Sequence, residues 1–268
     1  CRCQHPSCAI IQEPLLPKRT LYLERLNNGD ICVKLRKHKN ERDRYIALSH
    51  CWGSSPACTT TSKNIKAYQQ SVPWEALPTT FRDAIIFTLE LEVHHLWVDS
   101  LCIIQENAKD WEVESSRMAD VYQNAYLTLA ATAASNGSEG CFSVKRKSVK
   151  EPFPLLTRGW VLQERYLSPR TLHFCLQELV WECLGDLTCE YQWHSIVEQY
   201  TSLKLSKETD RLPALSGLAM RASSILGTYS CGLWLNTITN DLLWRVPLLE
   251  HGYGRPTKFT GPSWSWAS

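Results

Sequence analysis

Between about residues 44 and 190, short, almost uninterrupted apolar runs alternate with segments whose apolar residues recur three or four positions apart. This alternation restricts the fold more than any other feature of the chain. Tyr45-Ile46-Ala47-Leu48 ends abruptly in Ser49-His50-Cys51-Trp52-Gly53, and a Gly/Ser/Thr-rich loop follows to Ser62, which reads as a strand running into a loop. Phe81, Ala84, Ile85, Thr88 and Leu89 then stand at helical spacing behind Pro78-Thr79-Thr80, with Thr80 and Asp83 spaced as a capping box. His95 to Asp99 and Leu101 to Ile104 read as a buried strand ending near an acid. Trp111, Met118, Val121, Tyr122 and Ala125 line one face of a further helix, and Tyr126 to Ala131 returns to strand. Strands apolar on both faces and separated by helices predict an α/β fold with a mostly parallel sheet flanked by helices. Ligands of such sheets collect in the loops beyond the strand C-terminal ends, so Ser49 to Gly53 and Asp99 to Gln105 mark the expected binding rim.

The flanks differ in kind. Leu21 to Leu26 and Ile31 to Val33, joined by Asn27-Asn28-Gly29-Asp30, predict an N-terminal β-hairpin. The basic run Lys34 to Arg44 after it reads as a solvated loop. Beyond Glu190 the pattern turns helical, with a short helix over Ser195 to Ser202, a longer one over Arg211 to Leu226 with Pro213 in its first turn, and another over Leu233 to Trp244. The expected organisation is a hairpin lead-in over 1–43, an α/β domain over 44–190 and a helical C-terminal extension over 191–268 packed on the core.

Composition narrows the function. Lys plus Arg is 29 against 27 Asp plus Glu, a formal charge of +2, so the basic surplus that drives phosphate-backbone binding is missing and nucleic acid is not an expected partner. No apolar run reaches the roughly 18 to 20 residues needed to span a bilayer, and the N-terminus lacks the layout of a signal peptide; a cytoplasmic protein is expected. The chain opens on Cys1 without an initiator Met and reads as a fragment of something longer. Of 12 cysteines, most sit in apolar stretches and are expected as buried reduced thiols. Cys1, Cys3, His5 and Cys8 could hold zinc, but four ligands crowded at a terminus lack the two separated pairs of a finger. No metal site is expected otherwise.

Six ordered blocks carry a family resemblance. YIALSHCWG (45–53), LPTTFRDA (77–84), LWVDSLCIIQ (96–105), DWEVESSRMADVYQNA (110–125), GCF (140–142) and RGWVLQER (158–165) resemble the motif blocks of the fungal heterokaryon incompatibility (HET) domain. DRLPALSGLA (210–219) and PSWSWAS (262–268) resemble the C-terminal extension common in those proteins. Relatives are often longer over Ser143 to Thr157. The resemblance implies a cytoplasmic trigger of cell death in non-self recognition that self-associates on activation and meets other incompatibility or signalling proteins. The family is in turn distantly similar to Toll/interleukin-1 receptor (TIR) domains, a flavodoxin-like fold whose enzymatic members cleave NAD at the nicotinamide–ribose bond. Those enzymes carry a Trp followed four residues later by a catalytic Glu. Trp160 and Glu164 reproduce that spacing, with Val161 where the TIR motif usually has Cys.

What the resemblance implies for the site is then chemical. Nicotinamide leaves NAD as a neutral molecule, so no general acid is needed, unlike the paired acids of ordinary glycosidases. Glu164 would hold the ribose hydroxyls and stabilise the developing oxocarbenium charge, with NAD as substrate and no cofactor required. Trp160 or Trp52 would stack on a ring, Ser49, His50 and the backbone near Gly53 would contact ribose or phosphate, and Asp99 is a second carboxylate. Structural roles compete. Glu164 could pair with Arg158 or Arg165, His50 could be a hydrogen-bonded core residue, and Asp99 could cap the next turn. Asp83 is expected as a helix cap, Gln105 and Gln163 as partners of backbone groups, Cys102 as an inert thiol, and Trp97, Trp111, Trp181 and Trp244 as core. Trp264 and Trp266 are expected to pack the C-terminal segment on the sheet. A Cys51–His50 dyad is disfavoured because neighbours on a strand point to opposite faces. The competing functional class is a non-enzymatic module that recruits partners.

Overall fold

The computed structural model describes residues 13–53, 58–142, 153–183, 193–245, 256 and 258–268. Gly29 takes φ +90°, the left-handed conformation its turn needs, and closes β1 (Arg19–Arg25) on β2 (Ile31–Lys37) as an antiparallel hairpin. The far edge of β1 pairs antiparallel with β4 (His95–Val98), so the hairpin extends the main sheet. The middle of that sheet is parallel: β4, β3 (Ile46–Ser49), β5 (Leu127–Ala130) and β6 (Arg170–Phe174) lie in that order, and β7 (Leu179–Cys183) closes it antiparallel to β6. All four residues of β3, β4 and β5 are buried, as apolar runs covered on both faces require.

From β3 the chain passes through α1 (Ile65–Gln70) and α2 (Thr79–Glu90) to β4 on one side. It then returns through α3 (Asp99–Cys102), α4 (Ala108–Ser116) and α5 (Met118–Asn124) to β5 on the other side, and reaches β6 through α6 (Gly159–Leu167). The parallel order is that of a flavodoxin-like doubly wound sheet and is consistent with a flavodoxin- or TIR-like fold. Right-handed crossovers running in opposite directions place α2 on one face and α5 and α6 on the other. There α5 and α6 pack together and under α8 (Pro213–Leu226). Beyond α7 (Trp193–Thr201) and α8 come the hairpin of β8 (Tyr229–Ser230) and β9 (Leu233–Trp234) and the single turn α9 (Ile238–Asp241), the last helix of the described residues.

Several local expectations are corrected. Lys34 to Lys37 is strand rather than loop, because the single apolar residue Leu35 faces the core while its charged neighbours face solvent. Leu101 and Cys102 belong to the helical turn α3, where the side-chain oxygen of Asp99 accepts from the Ser100 amide. The capping box is not formed: Pro78 precedes α2 with no side-chain cap, and Asp83 instead accepts the amides of Cys141 (2.7 Å) and Phe142. Leu233 to Trp244 is strand and short turns, not one helix. Trp97 is core, whereas Trp111 is half-buried and Trp181 and Trp244 are exposed. Trp266 is buried against Tyr200 of α7 and the Gly232 carbonyl rather than the central sheet, and Trp264 is exposed.

Candidate functional site

The order of parallel strands reverses at β3, so its C-terminal end borders the crevice where ligands of doubly wound sheets bind. Ser49, the last residue of β3, directs its hydroxyl at α6 and donates to Glu164 Oε2 at 2.5 Å. The Tyr122 hydroxyl of α5 is a second hydrogen-bond partner of the same carboxylate. Three elements meeting at a doubly wound sheet thus hold one acid: the strand supplies the serine, α5 the tyrosine and α6 the glutamate. Trp97 packs edge-on to the Tyr122 ring at 5.7 Å and keeps it in place.

Glu164 is buried, at 5% exposure. Burial raises its pKa to about 7, against the lowering effect of the Arg158 charge and the Ser49 hydrogen bond. A carboxyl poised there changes charge in the neutral range. Burial also pushes the Tyr122 hydroxyl well above its ordinary pKa, so it serves Glu164 as a donor. Arg158, which precedes α6, donates through Nη1 to the carbonyl of His50 and reaches the Cys51 thiol. Cys51 is buried, and burial raises its pKa, so it rests as a neutral thiol.

His50 and Cys51 diverge as strand alternation predicts. The His50 ring packs edge-on to Phe81 of α2 at 4.9 Å, whereas Cys51 packs with Ala130, Leu155 and Val161. Burial lowers the pKa of His50, opposed by Asp99, whose Oδ1 lies 3.7 Å from His50 Nδ1. That nitrogen is buried with no hydrogen-bond partner among the described residues. Asp99 also accepts the Trp52 indole N–H at 2.7 Å. Trp52 is half-buried, and Gly53 follows with φ +74° and Asn136 Cβ only 2.7 Å from where its own Cβ would stand. Only glycine fits that turn.

The structure thus brings together Ser49, His50, Trp52, Gly53, Asp99 and Glu164 around the end of β3. Trp160 goes elsewhere. Its indole N–H donates to Asp210 at 3.0 Å, tying α6 to the C-terminal segment, so the expected indole–carboxylate pair on one helical strip is not what surrounds Glu164. Arg165, an alternative partner for Glu164, forms a two-pronged ion pair with Glu182 on β7. Gln163 and Gln105 satisfy backbone groups as expected, Gln163 by accepting the Gly217 amide and Gln105 by donating to the Ile103 carbonyl. Tyr122 was legible only as a core position of its helix; nothing in its spacing announces a partner on α6. Cys1, Cys3, His5 and Cys8 lie outside the described residues. Among the described residues no helix is long and apolar enough to cross a membrane.

Fold and site define a doubly wound α/β domain with a buried acid at its switch point. Residues 45–154 match the family model described as Heterokaryon incompatibility protein (HET). The match covers less than half of the chain and supports, over those residues, the resemblance to that family. It takes in Ser49 to Gly53, Asp99 and Tyr122 and stops before Arg158, Trp160 and Glu164. No curated protein and no solved structure matches the chain.

Proposed function

We propose that this protein is a cytoplasmic cell-death effector of fungal non-self recognition that cleaves NAD at the nicotinamide–ribose bond, with a TIR-like relationship behind the chemistry. The observation that supports the reading is the position of Glu164, an acid poised near neutrality beside Ser49 at the strand-order reversal. In its ionised form this carboxylate accepts hydrogen bonds from the ribose hydroxyls and stabilises positive charge developing at C1′. The C1′–N bond breaks with its electron pair going to the nicotinamide nitrogen, which was cationic and leaves neutral. Water then adds to C1′ and releases a proton. Asp99, with Trp52 on one oxygen, makes a second hydroxyl contact, and of the two candidates for stacking, Trp52 rather than Trp160 takes that role. Activation proceeds through self-association, with other incompatibility or signalling proteins as partners.

The test is nicotinamide release from NAD by concentrated purified protein, wild type beside Glu164→Gln. Turnover that disappears in the variant supports the reading. One observation favours a non-enzymatic recruiting module: the Glu164 carboxylate already has Ser49 and Tyr122 as partners, a sufficient structural role for a buried acid. Absence of turnover in both proteins, even after enforced oligomerisation, selects the module.

A further inference from the structure

We propose that Arg158 anchors the diphosphate of a nucleoside ligand at the β3 rim, making the site selective for phosphorylated nucleosides over free ones. The inference rests on the NAD reading for the identity of the nucleoside, but not for the anion.

Arg158 is half-buried, and its side-chain partners among the described residues are the His50 carbonyl and the Cys51 thiol, both uncharged. A guanidinium carries five donors in a planar fork suited to two oxygens of a phosphate or carboxylate. The nearest acid does not supply them. Glu164 feels the Arg158 charge, but among the described residues the two form no ion pair, Glu164 Oε2 accepting instead from Ser49. A partly desolvated cation with no ion pair among the described residues is costly unless a ligand brings the negative charge.

Three further features point to the same place. The backbone under Arg158 is fixed on both sides, the Lys204 amide donating to the Thr157 carbonyl at 2.7 Å and the Gly159 amide to the Lys204 carbonyl at 2.8 Å. A fork on a fixed base loses little entropy when it binds. Arg158 also stands at the positive end of α6, a nine-residue helix, so anionic charge is favoured there. The third feature is His50, whose carbonyl accepts from Arg158 and whose buried Nδ1, 3.7 Å from Asp99 Oδ1, makes no hydrogen bond among the described residues. The site then divides by chemistry. Glu164 and Asp99 face neutral hydroxyl donors, and Arg158 faces the charged linker between the two nucleosides.

Calorimetric binding of ADP-ribose, adenosine and inorganic pyrophosphate to the full chain tests this without any turnover. With Glu164→Gln as the background, Arg158→Gln is expected to weaken ADP-ribose about tenfold or more while adenosine changes less than twofold, and Arg158→Lys to fall between. Weak, Arg158-dependent binding of pyrophosphate alone locates the contact on the anion. Equal loss of ADP-ribose and adenosine overturns the proposal in favour of a scaffolding arginine, as does unchanged ADP-ribose affinity in both variants or no ADP-ribose binding by the parent. Near-ultraviolet circular dichroism checks folding, and Arg158→Lys carries the comparison if the glutamine variant does not fold. Nicotinamide release by wild type judges the NAD reading separately, so either can fail alone.

Discussion

Glu164 and Ser49 show how one buried contact sets a proton equilibrium. Removing the Ser49 hydroxyl takes away a hydrogen bond that favours the ionised carboxylate, so Ser49→Ala raises the Glu164 pKa above about 7. If cleavage needs the ionised acid, the wild-type rate climbs through about pH 7 to a plateau. The Ser49→Ala rate climbs later, falling roughly threefold to tenfold behind at pH 7; initial rates across pH 5.5–9 check this, and superimposed profiles would refute it. Stability carries an independent signature. A folded-state pKa above the unfolded value means the stability is fully present below about 4.5 and is lost as pH rises through about 7. Glu164→Gln removes that loss, on the order of 3 kcal/mol at full ionisation. Its urea midpoint should therefore gain on wild type between pH 5 and pH 8.

At the scale of elements, much of the α/β region was readable, because alternation of apolar runs and helical periods is local information. The hairpin followed from Asn27 to Asp30, since φ +90° at Gly29 is a requirement that sequence displays directly. What failed depended on distant partners. Asp83 has the spacing of a cap, but Cys141 and Phe142 offer it two backbone amides and win. Asp83→Ala is expected to cost about 1–3 kcal/mol by leaving a partly buried amide unpaired, measured by equilibrium urea unfolding. Leu35 was lost in a basic run because one apolar residue among charges has no period until β1 pairs beside it. The junction of α8 with α5 and α6 is equally invisible in sequence. A Cβ on Gly217 would lie 2.4 Å from the Ala119 Cβ and 2.8 Å from Gln163 Oε1. Gly217→Ala should therefore destabilise by about 1–3 kcal/mol despite its better helix propensity, and a more stable variant would show that α8 can shift away.

Across the whole molecule, acid stability is set far from the candidate site. Burial alone would raise Glu182, but hydrogen bonds from His173 and Arg165 outweigh it and hold the carboxyl down at about 2. Stability from this cluster is present above about 4.5 and lost as pH falls toward 2. Asp110 acts in the same direction, its burial overcome by Lys18, the Ile104 amide and Arg19, which ties β1 to α4. His95, lowered from 6.5 to about 4 chiefly by burial, adds a loss that accrues as pH falls from 6.5 to about 4, where the unfolded chain takes the proton and the folded imidazole does not. The thermal midpoint should fall steeply below pH 4.5. Glu182→Gln is expected to start lower at pH 7 and to lose less over the acid limb, and parallel curves would contradict the assignment.

By itself the sequence determined the alternation of strand and helix, the parallel core that follows from it, and the rim at which Ser49 and Asp99 stand, because periodicity and turn chemistry act over a few residues. Only the tertiary structure decided which side chains share that rim. Glu164 lies 115 residues from Ser49, and its helix could be read without revealing that α5 lends it a tyrosine or that Trp160 turns to Asp210. Burial, which moves the acid toward neutrality, belongs to the assembled layers and to no segment of the chain.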